Sequence, residues 1–237
     1  WIEVKDDLDD NQSIYIYFGK AGASSASNGD NTFIFFDDLN RDDNGLGAKW
    51  QAAVGGTATI ESNTAKLVAT LAEAYVIAVM STITDFRFIA KIKIDTDEAS
   101  LLFRADDDEI PSYLAHIYAG TNTGRHYYRT NGGWTLIGSY WSPASATWYR
   151  NEFLVSGDSI KWYVGDSLKA DITDANVTAA GKVGLRLGNI GRVGYYDDFC
   201  VAKYVDPEPV VGTPGSYQIR EIVHGYIIGL VDSTSTA

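Results

Sequence analysis

Along most of this chain, apolar and polar residues alternate one for one. The clearest run is Phe86-Arg87-Phe88-Ile89-Ala90-Lys91-Ile92-Lys93-Ile94, which puts Phe86, Phe88, Ala90, Ile92 and Ile94 on one side. A period of two belongs to an extended strand with one buried face, as in an antiparallel sheet. The same reading gives strands at Thr32–Phe36, Thr57–Ile60, Lys66–Ala69, Tyr75–Met80, Ser100–Arg104, Tyr113–Tyr118, Arg125–Arg129, Thr135–Tyr140, Trp148–Ser156, Ser159–Val164, Lys182–Leu187 and Gly194–Tyr204. No stretch carries a convincing helical period. Turn signals separate the strands. Asn131-Gly132-Gly133 and Ser156-Gly157-Asp158 predict the sharpest hairpins. Short strands punctuated in this way predict an all-β fold, an antiparallel sandwich or jelly roll.

Two copies of one pattern bracket this region. Phe35-Phe36-Asp37-Asp38-Leu39 and Tyr195-Tyr196-Asp197-Asp198-Phe199 both read aromatic, aromatic, Asp, Asp, apolar. The simplest arrangement sets the first and last strands of one domain, residues 31–204, side by side. Outside it lie a strand-like segment with a small polar linker (1–30), a Pro/Gly linker (205–216) and a further strand segment (217–237). The outer segments carry Ile14, Tyr15, Ile16 and Tyr17 before the domain, and Ile219, Ile222, Val223, Tyr226, Ile227 and Ile228 after it. The later one reads as one long strand or two short ones. Strands left unpaired invite pairing with each other, with a neighbouring domain or with another copy.

Composition narrows the partners. A chain of 237 residues that is 45% hydrophobic can bury a large core. The formal charge of −12 disfavours nucleic acid and anionic membrane, since both need a basic face. No apolar run is long enough for a membrane helix, so no direct membrane insertion is expected. The lone cysteine, Cys200, excludes an internal disulfide and reads as a small buried hydrophobe. A chain opening at Trp1 with a single Met80 reads as a trimmed product or a piece of something longer.

The run from Ser13 to Leu39 contains Ile14-Tyr15-Ile16-Tyr17-Phe18-Gly19, Ser27-Asn28-Gly29-Asp30-Asn31-Thr32-Phe33 and Phe36-Asp37-Asp38. It resembles the end of an uncharacterised domain of archaeal and bacterial surface proteins. Leu101-Leu102-Phe103-Arg104, Trp148-Tyr149-Arg150, Val155–Val164, Ala180–Leu185 and Tyr195–Phe199 are similar, in that order, to a laminin-G-like, concanavalin A-like jelly-roll module. The resemblance implies that fold, with extra N- and C-terminal strands, and an extracellular or cell-surface location.

Candidate chemistry is sparse. Glycoside hydrolases of this fold carry a Glu-x-Asp-x-x-Glu strand motif, which this chain lacks; Asp95-Thr96-Asp97-Glu98 is the nearest alternation. His116, His126 and His224 read as ordinary strand histidines, without a Ser- or Cys-centred motif nearby. No catalytic residue is assigned. The acidic run Asp106-Asp107-Asp108-Glu109 reads as a solvated loop. If the two echoes pair, Asp37, Asp38, Asp197 and Asp198 approach one another, and their hard oxygens suit a structural Ca²⁺. Alternation allows at most one Asp of each pair to face a given side. Asn40–Gly45 is a second oxygen-rich loop. For both groups the alternative is hydrogen bonding within turns.

Trp134, Trp141, Tyr140, Tyr127 and Arg125 cluster around one hairpin and are candidate carbohydrate contacts, since aromatic faces stack on sugars. Trp148, Trp162 and Tyr163 read as core. Asn11 and Asn176 open N-glycosylation sequons. The expected function is that of a non-catalytic extracellular structural subunit, self-associating into a filament or lattice by strand exchange through its terminal segments. The alternative is a carbohydrate-binding or adhesion module with glycans as partners. A glycoside hydrolase-like enzyme comes last.

Overall fold

The computed structural model describes residues 22, 24–25, 27–94, 98–121 and 123–208, with the backbone of 217–223 and 226–231. Residues 29–206 form one unit; 1–28 and 207–237 are assigned to a second. The larger unit opens with one helical turn, Gly29–Thr32. Its strands follow as β1 (Phe35–Asp37), β2 (Gly56–Glu61), β3 (Thr64–Ala69), β4 (Ala74–Ile77), β5 (Phe86–Ile94), β6 (Glu98–Ala105), β7 (Ser112–Tyr118), β8 (Thr123–Arg129), β9 (Thr135–Trp141), β10 (Trp148–Ser156), β11 (Ser159–Val164), β12 (Ser167–Thr173), β13 (Lys182–Leu187) and β14 (Val193–Lys203).

These strands build two antiparallel sheets. One is eight-stranded and runs β12-β11-β10-β5-β14-β3-β2, with β1 also on β14; the other is six-stranded and runs β4-β13-β6-β7-β8-β9. The core lies between them. Phe88, Phe153 and Trp162 enter it from the first sheet, and Phe103, Tyr113 and Leu185 from the second. Phe153 bridges the two, 5.8 Å from Phe88 and 5.1 Å from Phe103 between ring centroids. Burying each such side chain contributes about 1.5–3 kcal/mol. The alternation of Phe86–Ile94 is borne out, with Phe86, Phe88, Ala90, Ile92 and Ile94 all buried.

The two echoes do lie side by side. β14 is long enough to pair β3 with its first half and β1 with its second, with Phe36 opposite Cys200 and Asp37 opposite Phe199. The two predicted hairpins form, with Gly132 and Gly157 at φ of 68° and 56°, a region that favours glycine. Two features depart from the sequence reading. Thr32 belongs to the helical turn, so the first strand begins only at Phe35. β12 is not among the strands that alternation predicts. Leu168, Ala170 and Ile172 do alternate there, but Leu168 is 48% exposed and Ala170 adds little apolar signal.

A bulge shapes one end of the sandwich. Between β6 and β13 the register shifts, so that Phe103 and Arg104 together oppose Val183. Arg104, at φ 48°, turns off the sheet face and buries its side chain completely. Its guanidinium donates to the carbonyls of Thr84, Val177 and Gly157 at 2.6–3.2 Å. One side chain thereby ties three loops together.

The smaller unit contains two short strands, β15 (Tyr217–Val223) and β16 (Tyr226–Val231), which pair antiparallel with each other. Ile14, Tyr15, Ile16 and Tyr17 lie outside the described residues. Among the described residues, no helix is long and apolar enough to cross a membrane.

Candidate functional site

β6 is buried along its whole length and β7 along nearly all of it, which requires cover on both faces. On the outer face of the six-stranded sheet, Ile77, Leu102, Ala105 and Leu114 form a buried apolar bed. Tyr75, Tyr127 and Trp134 pack on it and are half-buried. Strand register explains the grouping: Leu102 stands opposite Leu114, and Leu114 opposite Tyr127. Trp134 arrives from the Gly132-Gly133 turn just before β9.

Four charged residues adjoin this aromatic layer. Arg129 lies 3.0 Å from Glu109 and 3.1 Å from Glu73; Arg186 lies 2.7 Å from Glu73 and 3.3 Å from Glu109. The Trp134 ring sits 4.9 Å from the Arg186 guanidinium and 5.6 Å from that of Arg129, within cation–π range. The solvated-loop reading therefore fails for Glu109, which is 2% exposed because β8 and β13 bring two guanidiniums to it. Burial pushes its pKa up to about 7; Arg186 and Arg129 pull it down, while Glu73 raises it. For Glu73, burial also acts upward, but Arg186 and Arg129 outweigh it and hold the carboxyl below its ordinary value.

Further along the same face, Ser100 and His116 are cross-strand partners, with Ser Oγ 2.9 Å from His Nδ1. Glu98 Oε2 approaches His116 Nε2 at 3.8 Å, and its carboxylate accepts the Gly188 N–H at 2.5 Å. Burial lowers the His116 pKa to about 4, with Arg186 and Arg125 acting the same way. The imidazole is therefore neutral at pH 7, and the approach of Glu98 is not an ion pair. No local motif marks this contact, because 16 residues separate its partners.

The five sugar-contact candidates divide between two faces. Tyr127 and Trp134 lie on the outer bed, and Arg125 reaches the Tyr127 hydroxyl at 3.3 Å. Tyr140 and Trp141 instead pack against the inner core. Trp141 meets Tyr149 edge-on at 4.8 Å, and a side chain at Gly124 would collide with its indole. Of the three residues read as core, Trp162 is fully buried and bonds Asn151 at 3.0 Å. Trp148 is 39% exposed because it opens β10 at the sandwich rim, and Tyr163 is half-buried.

The aspartates are engaged in hydrogen bonds. Asp37 is 1% exposed and accepts from Arg41 at 2.5 and 2.9 Å, Trp50 at 2.7 Å and the Leu39 N–H at 3.1 Å. Burial alone would raise its pKa, but these bonds outweigh it and the net shift is downward. Asp38 accepts from the Asn40 N–H, and Asp198 pairs with Lys91. Simple alternation does not hold at Asp197-Asp198, because a register shift there puts Asp198 at φ 51°. Asp43 and Asn44 of the second loop accept the backbone N–H groups of Ser62 and Gly45. Among the described residues, no group of three or more His, Cys, Asp and Glu is placed to hold a metal. Asn176 is exposed; Asn11 and His224 lie outside the described residues. Cys200 is half-buried, and burial raises its pKa to about 11.

Comparison with known proteins adds the following. The model of a domain of unknown function, DUF2341, matches residues 1–53, in keeping with the resemblance carried by Ser13–Leu39. No curated protein matches. Among solved structures, the carbohydrate-binding module CBM66 from Bacillus subtilis aligns over 66% of this chain and 96% of its own, with a TM-score of 0.60 and 21% identity. A Bacillus licheniformis β-glucanase aligns over 72% and 98%, with a TM-score of 0.52 and 17% identity. A Bacillus subtilis protein of unknown function with a galectin-like fold aligns over 71% and 98%, with a TM-score of 0.53 and 15% identity. At these identities the likeness shows the fold, a two-sheet jelly roll.

Proposed function

We propose that residues 29–206 are a non-catalytic carbohydrate-binding module of a secreted or surface protein, and that the outer face of the six-stranded sheet holds the glycan. The observation that carries this reading is the layer of Tyr75, Tyr127 and Trp134 on a buried apolar bed, beside Glu73, Arg129 and Arg186. Flat aromatic faces supply stacking, and fixed polar groups supply orientation. The likeness to a carbohydrate-binding module and a galectin-like protein supports the same reading. The strand-exchange filament draws less support, since β15 and β16 pair with each other.

Two features support a non-catalytic role. Glu73 and Glu109 are both held by the same two arginines, Arg129 and Arg186, at 2.7–3.3 Å, so neither carboxyl stands free to act as nucleophile or general acid. Ser100 is fully buried, and His116 is too weak a base at neutral pH to activate it.

A glycan array of the full chain, followed by calorimetry on the best ligand, tests this. Tyr127→Ala and Trp134→Ala are each expected to weaken binding at least tenfold, about 1.4 kcal/mol. The bound glycan is expected to stay intact on prolonged incubation. Absence of any array binding, or unchanged affinity in both variants, overturns the glycan reading. Cleavage of the glycan overturns the non-catalytic one.

A further inference from the structure

A second recess lies away from this face, where the chain crosses from β9 to β10 and so from one sheet to the other. It is an open pocket of about 390 Å³ whose lining includes Trp141, Trp148, Tyr149, Arg150, Gly165 and Lys169. Its size falls within the roughly 300–1,000 Å³ of small-ligand sites. The walls are fixed by named contacts. Tyr149 accepts the Ala144 N–H at 2.8 Å, which holds the crossover loop, and meets Trp141 edge-on. The Gly165 N–H donates to the Arg150 carbonyl at 2.8 Å, and nothing lies within 4 Å of where a Gly165 side chain would begin.

The charge here runs against that of the whole chain. The chain carries −12, yet the two charged residues lining the pocket, Arg150 and Lys169, are both cations. Lys93 lies just beyond, 5.4 Å over the Trp148 ring. One nearby acid, Glu152, is shared by Arg150 at 2.7 Å and Arg87 at 2.8 Å, so this carboxylate faces two guanidiniums. Aromatic walls beside two lining cations suit a sugar ring that bears a negative group.

We propose that this pocket binds an anionic sugar residue, its ring against Trp148 and Tyr149 and its carboxylate or sulfate on Lys169 and Arg150. The inference stands apart from the outer-face site and extends the range of glycans the module takes. Arginine offers a planar fork to either anion and lysine a point charge, so both sources share one recognition chemistry.

Calorimetry on the full chain separates the sources with three probes of equal length: an oligouronate, a sulfated neutral oligosaccharide and its unsulfated parent. At least one anionic probe is expected to bind, and to bind at least tenfold more tightly than the unsulfated parent. That affinity is expected to fall as salt rises. Lys169→Glu and Trp148→Ala are expected to lose it at least tenfold while melting like the parent protein, and Tyr127→Ala is expected to retain it. Preference for the uronate identifies the carboxylate as the natural anion; preference for the sulfated sugar identifies the sulfate. No binding of either anionic probe, equal binding of all three, or unchanged affinity in Lys169→Glu overturns the proposal. A loss in Tyr127→Ala alone also overturns it, and assigns the anion to the outer face instead.

Discussion

At the scale of single residues, two buried charges set the behaviour of the sandwich. Arg104 donates to three carbonyls contributed by separate loops, and its nearest carboxylate, Asp85, is 3.8 Å away. Arg104→Ala leaves those carbonyls without their donor and is expected to cost about 3 kcal/mol or more in chemical denaturation. Arg104→Lys is expected to recover little, because an ammonium lacks the fork that reaches several acceptors at once. Glu109 is predicted to shape the pH profile. Its folded pKa of about 7 lies above the ordinary 4.5, so between those values the folded state holds a proton that the unfolded state has lost. Its contribution is complete below about pH 4.5 and is lost as pH rises through 7. His116 and His126, lowered by burial to about 4 and about 3, act in the opposite sense and lose stability as pH falls below 6.5. In Glu109→Gln the gain from that carboxyl is gone while the histidine effect remains. The drop in melting temperature from pH 7 to pH 5 is therefore expected to be larger in the variant than in the parent. Parallel curves would contradict this.

At the scale of elements, the strands were legible and their irregularities were not. Period-two runs such as Phe86–Ile94 announce a strand because every second residue enters one core. A bulge leaves no such mark. The shifts at Phe103-Arg104 and at Asp197-Asp198 move side chains off the faces that simple alternation assigns. β8 and β9 carry two more register shifts, at Gly124/Arg125 and His126/Tyr127. Five residues that share one hairpin in sequence thus divide between the outer bed and the core. Gly124 is the hinge of that arrangement, since Trp141 occupies the space its side chain would take. Gly124→Val is expected to displace the indole, lower stability by about 1–3 kcal/mol and raise Trp fluorescence quenching by acrylamide. A variant as stable and as protected as the parent would contradict this packing.

At the scale of the whole molecule, the jelly roll followed from the sequence, but the sites depend on distance along the chain. Arg186 reaches Glu73 across 113 residues, and Ser100 meets His116 only through register. No local motif encodes either contact. In sequence Tyr75 marks only the start of a strand, although sheet order puts it on the same bed as Tyr127 and Trp134. The larger unit, residues 29–206, contains both proposed sites. The segment Gly29–Asp206 is therefore expected to bind the same glycans as the full chain, within about twofold. A loss of affinity on truncation would show that the terminal segments take part.

The most direct test of the outer-face site reads the tryptophan indole N–H resonances during titration with the best neutral glycan. Trp134 is expected to shift in proportion to saturation, with Trp50 and Trp162, both buried between the sheets, unmoved. Tyr127→Ala is expected to abolish the shift without altering the remaining spectrum. Saturable binding that leaves the Trp134 resonance in place would contradict the account.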